Sequence, residues 1–126
     1  MLKTLMFIAV GGAFGAMMRF LSQATVHELF GKAFPYGTLF VNVTGSFLMG
    51  LLSIFLVEKF NLSSEWHLAI LVGVLGSFTT FSTFSIETLV LFEQGDFLKA
   101  MTNISLSIIL CVSAVWVGAY FAKQIV

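Results

Sequence analysis

The chain has 126 residues, of which 59% are hydrophobic and 10% are charged, and its formal net charge is zero. A mean hydropathy of +1.04 excludes a soluble globular domain, because a chain of this length could not keep so much apolar surface out of water. Zero net charge and the lack of a basic run exclude nucleic acid as a partner. We predict an all-α integral membrane protein, since a helix satisfies its backbone donors internally.

The ionisable residues divide the chain into four apolar spans that form a single transmembrane domain, residues 1–126. Each span has about twenty residues or more, which is enough at roughly 1.5 Å rise per residue to cross the hydrocarbon core. The predicted spans cover about residues 5–26, 36–57, 66–92 and 98–122.

Small residues recur one helical turn apart in the first two spans. Such pairs let helix backbones approach closely in a membrane, where no hydrophobic force drives association. They are common in any membrane bundle, so they predict tight packing but do not indicate which helix or subunit is the partner. The pairs are Gly11 with Gly15, Gly12 with Ala16, and Ser46 with Gly50.

Polar side chains are arranged in a pattern that isolated serines would not produce. A single Ser or Thr in a membrane helix usually bonds to its own backbone. Here two columns with four-residue spacing, each on one helix face, accompany a central cluster. The columns are Thr38, Asn42 and Ser46 in span two and Asn103, Ser107 and Cys111 in span four, and the cluster is Ser82, Thr83 and Ser85. These residues are predicted to line a polar path through the membrane.

The third span contains glycines, hydroxyls and phenyl rings where a plain span would be aliphatic. Its middle lies near Thr79, and glycine together with β-branched residues weakens a helix there. We therefore predict that the third helix is broken at mid-membrane. A broken helix offers carbonyls to a cation at the end of its first half and amides to an anion at the start of its second.

The predicted lining favours a small anion over a cation. Asn amides and hydroxyls donate hydrogen bonds, and the rings of Phe81 and Phe84, three residues apart, can turn their positive edges toward an anion. A ring of carboxylates, the usual cation signature, is missing. Glu87 is the one acid well inside a span, and it lies nearer an end than the midpoint.

The charge distribution gives no preferred orientation. Four spans place both termini on one side of the membrane, and each side carries three Lys or Arg residues if Arg19, in the second half of span one, is counted with Lys32 and Lys99. A chain without bias can insert both ways, which would allow an antiparallel, dual-topology homodimer with its axis in the membrane plane.

Catalytic and metal-binding side-chain groupings are absent from the sequence. No nucleophile, base and orienting residue fall together, so we predict that the chain is not an enzyme. The single cysteine, Cys111, cannot form an internal disulfide, and neither His27 nor His67 belongs to a metal-spaced cluster.

Three motifs resemble the Fluc (also called CrcB) fluoride channels of microbes: residues 12–19 (GAFGAMMR), 35–47 (PYGTLFVNVTGSF) and 76–87 (GSFTTFSTFSIE). The resemblance covers the whole chain in length and span count. It implies a dual-topology homodimer of four-helix subunits in the inner membrane of a microbe. Two antiparallel pores would let fluoride leave the cytoplasm passively.

The resemblance also implies roles for individual residues. Phe81 and Phe84 would line the pore with Asn42 as a donor, and Arg19 would raise the anion concentration near a vestibule. The backbone carbonyls of Gly76 and Thr79 would hold a central structural sodium ion. A polar route would complete the pore: Ser82, Thr83 and Ser85, then Thr38 and Glu87, then Ser107 and Cys111. Cys111 stands where a serine is expected.

A small dual-topology, proton-coupled exporter is the alternative, because it too has four short spans. Such a carrier needs a titratable acid deep in a span to couple protons. The first span has none, and Glu87 is off-centre. The channel is therefore the favoured interpretation, and the exporter stays open as the alternative.

Overall fold

A computed structural model describes residues 1–126 as an all-helical chain. Four helical segments are long and apolar enough to cross a membrane, which confirms the predicted fold class and the number of spans. They extend a few residues beyond the predicted spans, because a helix can continue into polar residues after the apolar stretch ends. Their bounds are Leu2–Phe30, Tyr36–Lys59, Ser64–Glu93 and Phe97–Ile125.

The first and fourth segments are single helices, whereas the second and third are composite. The elements in chain order are α1 (Leu2–Phe30), α2 (Tyr36–Ile54), a π-helical turn (Phe55–Lys59), α3 (Ser64–His67), a π-helical segment (Leu68–Leu75), α4 (Gly76–Phe78), α5 (Phe81–Glu93) and α6 (Phe97–Ile125).

Extended backbone interrupts the third segment between α4 and α5. Thr79 has φ −85° and ψ 161°, and Thr80 has φ −155° and ψ 117°. We call these two residues the break. The chain resumes as α5 at Phe81, within the run of glycines, hydroxyls and phenyl rings that stood out in the sequence.

Helices α2 and α6 approach each other most closely where each presents a glycine. A Cβ atom at Gly50 would collide with the Val115 carbonyl, and one at Gly118 would collide with the Phe47 carbonyl. We call this contact between the two backbones, centred on Gly50 and Gly118, the seam. It has no space for a side chain, which is the packing that small residues provide in membrane helices.

Helix α1 packs against the first half of the third segment in the same way. A Cβ at Gly11 would collide with the Ala69 carbonyl, and one at Gly15 would collide with the Val74 carbonyl. The small residues of α1 therefore serve contacts within the chain. Their close approach also places the following turn of α1, which carries Arg19, beside the break.

Much of the apolar surface faces outward. Only 21 of 126 residues are buried, and large side chains such as Phe20 and Phe81 are 71% and 79% exposed. An apolar surface of this extent needs lipid or another protein to cover it.

Candidate ion site at the helix break

The backbone of the break is held by partners from outside its own helix. The Thr79 amide still donates to the Leu75 carbonyl at 3.1 Å, as in a helix. The next amide, on Thr80, donates instead to Oδ1 of Asn42 at 2.7 Å. The Gly76 carbonyl thereby loses the donor that an unbroken helix would supply, and Gly76 lies exposed on the chain's surface.

Asn42 binds the break at two points. Its Oδ1 accepts from the Thr80 amide at 2.7 Å, and its Nδ2 donates to the Thr80 carbonyl at 2.9 Å. One side-chain amide thus replaces both backbone partners that Thr80 lacks in its extended conformation. This clamp ties α2 to the third segment and leaves one Nδ2 hydrogen free to donate elsewhere.

Arg19 also contacts the break. Its Nη1 donates to the Thr79 carbonyl at 3.3 Å, and the side chain is half-buried. A cationic side chain within a membrane helix needs a polar partner, and here that partner is a backbone carbonyl rather than a carboxylate. The structure thus places the residue predicted near a vestibule at the break itself.

The start of α5 is capped by the break. The Thr80 hydroxyl accepts from the Thr83 amide at 3.2 Å and donates to the Thr83 hydroxyl at 2.9 Å. The amides of Phe81 and Ser82, the first two residues of α5, have no carbonyl partner within that helix. The positive end of a thirteen-residue helix therefore begins at the break, with free donors that suit an anion.

The two phenylalanines at the start of α5 differ in exposure. Their ring centroids are 5.3 Å apart with an interplanar angle of 43°. Phe84 is buried and 9% exposed, whereas Phe81 is 79% exposed. A continuous aromatic surface therefore runs from the interior of the chain to its outer face.

A groove of about 370 Å³ joins the break to α2, α5 and α6. It is open on the surface of the chain, and its floor combines apolar side chains with hydrogen-bond donors. Among the residues that line it are five predicted for the anion path, Asn42, Phe81, Phe84, Ser107 and Cys111, together with Ser46 of the polar column and Thr79, which was predicted to bind sodium. The structure therefore brings together residues from three of the four spans.

Ser107 and Gly45 are both residues of the groove lining. The Ser107 hydroxyl is buried and has no hydrogen-bond partner in the chain, so the fold does not use its capacity to donate. Gly45 lets α2 pack directly against the break, because a Cβ there would collide with the Thr79 methyl group. Gly45 was not predicted as a site residue, and its place one helical turn after Asn42 in the sequence was the available signal.

The three hydroxyls of α5 lie outside the groove lining. Ser82 and Ser85 are exposed, and Ser85 donates to its own helix at the Phe81 carbonyl, 2.9 Å away. Thr83 is engaged with the Thr80 hydroxyl. Their part in an ion path stays a prediction.

Thr38 and Glu87 lie toward one end of the bundle. Thr38 is buried and accepts a hydrogen bond from Gln23 at 3.1 Å. Glu87 lines a cleft of about 390 Å³ together with His27, Lys32 and Lys99. This end cleft, defined by those four residues, is polar and is separate from the groove.

A buried brace fixes α5 against α6. Nδ2 of Asn103 donates to the Thr88 hydroxyl at 2.9 Å, and that hydroxyl donates to the Phe84 carbonyl at 2.7 Å. Asn103 is 1% exposed, so it supports the site from behind rather than lining the groove. The sequence drew attention to Asn103 through its polar column, but nothing in it pointed to Thr88.

Comparison with known proteins identifies the family of this chain. A family described as "CrcB-like protein, Camphor Resistance (CrcB)" matches residues 6–119. The chain belongs to the CrcB family. Its four long apolar helices and this membership identify a multi-pass membrane protein of a microbe.

Relatives in the CrcB family are named "Fluoride-specific ion channel FluC". One from Methylococcus capsulatus is 54% identical over 94% of this chain, and the chain spans about half of its length, 52%. One from Shewanella amazonensis is 48% identical over 93% of this chain and 94% of the relative. One from Geobacter sulfurreducens is 44% identical over 98% of this chain and 100% of the relative. The family is thus one of transport proteins rather than enzymes, as predicted.

Proposed function

We propose that this chain is the subunit of a fluoride channel that lets fluoride leave the cytoplasm passively. The observation that carries the proposal is the groove, in which hydrogen-bond donors and aromatic rings meet a break in a membrane helix. The names of the CrcB relatives support fluoride as the ion.

The chemistry of the groove supports an anion. Its polar groups include the free hydrogen of the Asn42 amide, the unpaired Ser107 hydroxyl and the thiol of Cys111, all of which can donate. The edges of Phe81 and Phe84 carry partial positive charge, and no carboxylate lines the groove. The free amides at the start of α5 add a further positive end beside the same space.

We propose an antiparallel, dual-topology homodimer in which a second copy closes the groove. The groove is open on the outer face, and Phe81 is 79% exposed at its rim. A two-fold dimer would form two such closed paths, one for each groove. With Arg19 at the break, one side of the membrane carries Lys3, Lys59 and Lys123 and the other carries Lys32 and Lys99, a small difference that is compatible with insertion in both orientations.

A structural sodium ion on the dimer axis is part of the proposal, held by the carbonyls of Gly76 and Thr79. The Gly76 carbonyl has lost its helical donor and is exposed where a partner could approach. Unwound carbonyls at the end of a half-helix are suitable oxygen ligands for sodium. The ion would supply a fixed positive charge that holds the two breaks together.

The remaining predicted residues extend the path on either side of the groove. Ser82, Thr83 and Ser85 would contribute where α5 faces the second copy, and Thr38 and Glu87 would continue toward the end cleft. Arg19 would raise the local concentration of anions beside the break.

Ion flux from liposomes tests this function. Purified protein should release fluoride rapidly without a proton gradient, and chloride release under the same conditions should stay near that of empty liposomes. Strict dependence on an opposing proton gradient would instead favour the proton-coupled exporter. Equal release of both anions would contradict fluoride selectivity.

A further inference from the structure

The Thr79 carbonyl has two possible cationic partners. Within the chain it accepts a hydrogen bond from Arg19 at 3.3 Å. In the proposed function it is also a ligand of the structural sodium ion, so this inference rests on that proposal. The two contacts would place two positive charges on one oxygen atom.

The local geometry makes the two contacts mutually unfavourable. A carbonyl oxygen has two lone pairs, so a hydrogen bond and an ion could in principle share it. However, a guanidinium and a sodium ion on the same oxygen would lie only a few ångströms apart in a poorly solvated site, where like charges repel strongly. Arg19 has no carboxylate beside it to offset that repulsion.

We infer that Arg19 and the sodium ion compete for the Thr79 carbonyl. Arg19 satisfies the carbonyl in the separate protomer and releases it when the ion-containing dimer forms. The residue is a positioning residue, because it occupies the Thr79 carbonyl until assembly, while Asn42 keeps the backbone of the break extended. Its contact at 3.3 Å is longer than that of an ideal charged hydrogen bond.

The other contacts of the break are compatible with such an exchange. Asn42 holds the neighbouring residue, Thr80, through both of its backbone groups. The Gly76 carbonyl is free of a helical donor. Release of Arg19 would therefore leave the course of the backbone unchanged while both proposed ligands became available.

The test compares the sodium requirement for dimer formation in the unaltered protein and in Arg19→Gln. The dimer fraction would be measured against sodium concentration, with N-methylglucamine keeping the ionic strength constant. Because the neutral Gln removes the competing charge, half-maximal dimer should need about ten-fold less sodium, within the usual range of coupling between two sites. Arg19→Lys keeps the charge and should stay near the unaltered protein.

A matched control removes a positive charge far from the break. Lys3 pairs with Glu65 at one end of the bundle, so Lys3→Gln should leave the sodium requirement unchanged. An Arg19→Gln protein with an unchanged or higher sodium requirement would overturn the inference. If the unaltered dimer formed equally well with and without sodium, the proposed sodium site would fail instead, which separates the two outcomes.

A second measurement needs no substitution. Arg19 is the one arginine among the six Lys and Arg residues, so its guanidinium nitrogens give a unique signal in protein labelled with 15N-arginine. Adding sodium should shift that signal and speed rotation of the guanidinium as its hydrogen bond is lost. An unchanged signal across the sodium concentrations that form the dimer would contradict competition.

Discussion

Helices α2 and α6 form two neighbouring regions with opposite properties, the seam and the groove. In the seam, Gly50 and Gly118 bring the two backbones into contact and leave no room for a side chain. Next to it, the same helices contribute Asn42, Ser107 and Cys111 to the groove of about 370 Å³. One helix pair therefore provides both a backbone-to-backbone contact and one wall of the candidate ion path.

The two regions differ in how their backbone N–H and C=O groups find hydrogen-bond partners. In the seam both helices are regular, so the contact needs only small residues and close packing. At the groove the third helix is interrupted, and its backbone takes partners from Asn42 and Arg19 instead. The seam holds the wall in place, and the polar side chains make an irregular backbone tolerable within a membrane.

Filling the seam should have the largest effect. Gly118→Val would drive side-chain atoms into the Phe47 carbonyl and the backbone of Leu51. We expect a loss of about 3 kcal/mol in the free energy of unfolding, as in other overpacked interiors. Gly12→Ala is the control, because its new Cβ would approach only the Ser77 hydroxyl, at 3.3 Å. Equal stability of the two variants by thermal unfolding would show that the seam is not a tight contact.

Removing the Asn42 clamp should have a smaller but distinct effect. Asn42→Leu leaves the amide and carbonyl of Thr80 unpaired, which should cost about 2 kcal/mol of stability. Fluoride flux should fall as well, because the same side chain lines the groove. Ser46→Ala, one turn further along α2, should change stability much less. Thermal unfolding would measure the stability of each variant, and fluoride efflux from liposomes would measure its flux. An Asn42→Leu protein as stable as the unaltered protein would contradict the role of Asn42 as a clamp.

Replacing the groove thiol should have the smallest effect. Cys111→Ser substitutes a stronger donor at a half-buried position, so fluoride flux should rise, by no more than about ten-fold for a single hydrogen bond. Thermal stability should stay close to that of the unaltered protein. A marked fall in flux would mean that the thiol contributes through its size rather than as a weak donor.

Hydropathy was sufficient to predict the four spans, because the need to satisfy backbone groups in lipid leaves few alternatives to long helices. The run around Thr79 predicted a weakened helix, since glycine and β-branched residues weaken helices, and the structure has extended backbone at Thr79 and Thr80. The depth of that interruption in the bilayer stays a prediction. The two π-helical segments had no signal in the sequence that we recognised.

The contacts at the break could not be predicted, because they join residues far apart in the chain. Arg19 and Thr79 are separated by 60 residues, and Asn42 and Thr80 by 38. Which polar side chain reaches which carbonyl depends on how closely the glycines let the helices approach. For the same reason, periodicity grouped Asn103 with Ser107, although one braces the site from behind and the other lines it.

The central claim is that the groove is the wall of the anion path, and fluoride efflux from liposomes carrying Phe81→Ile or Phe84→Ile tests it most directly. Each variant should still form the dimer, and its efflux should fall about ten-fold, the rate equivalent of losing about 1.4 kcal/mol of transition-state stabilisation. Phe97→Ile, on α6 outside the groove, should conduct normally. Undiminished efflux from intact Phe81→Ile and Phe84→Ile dimers would contradict the account.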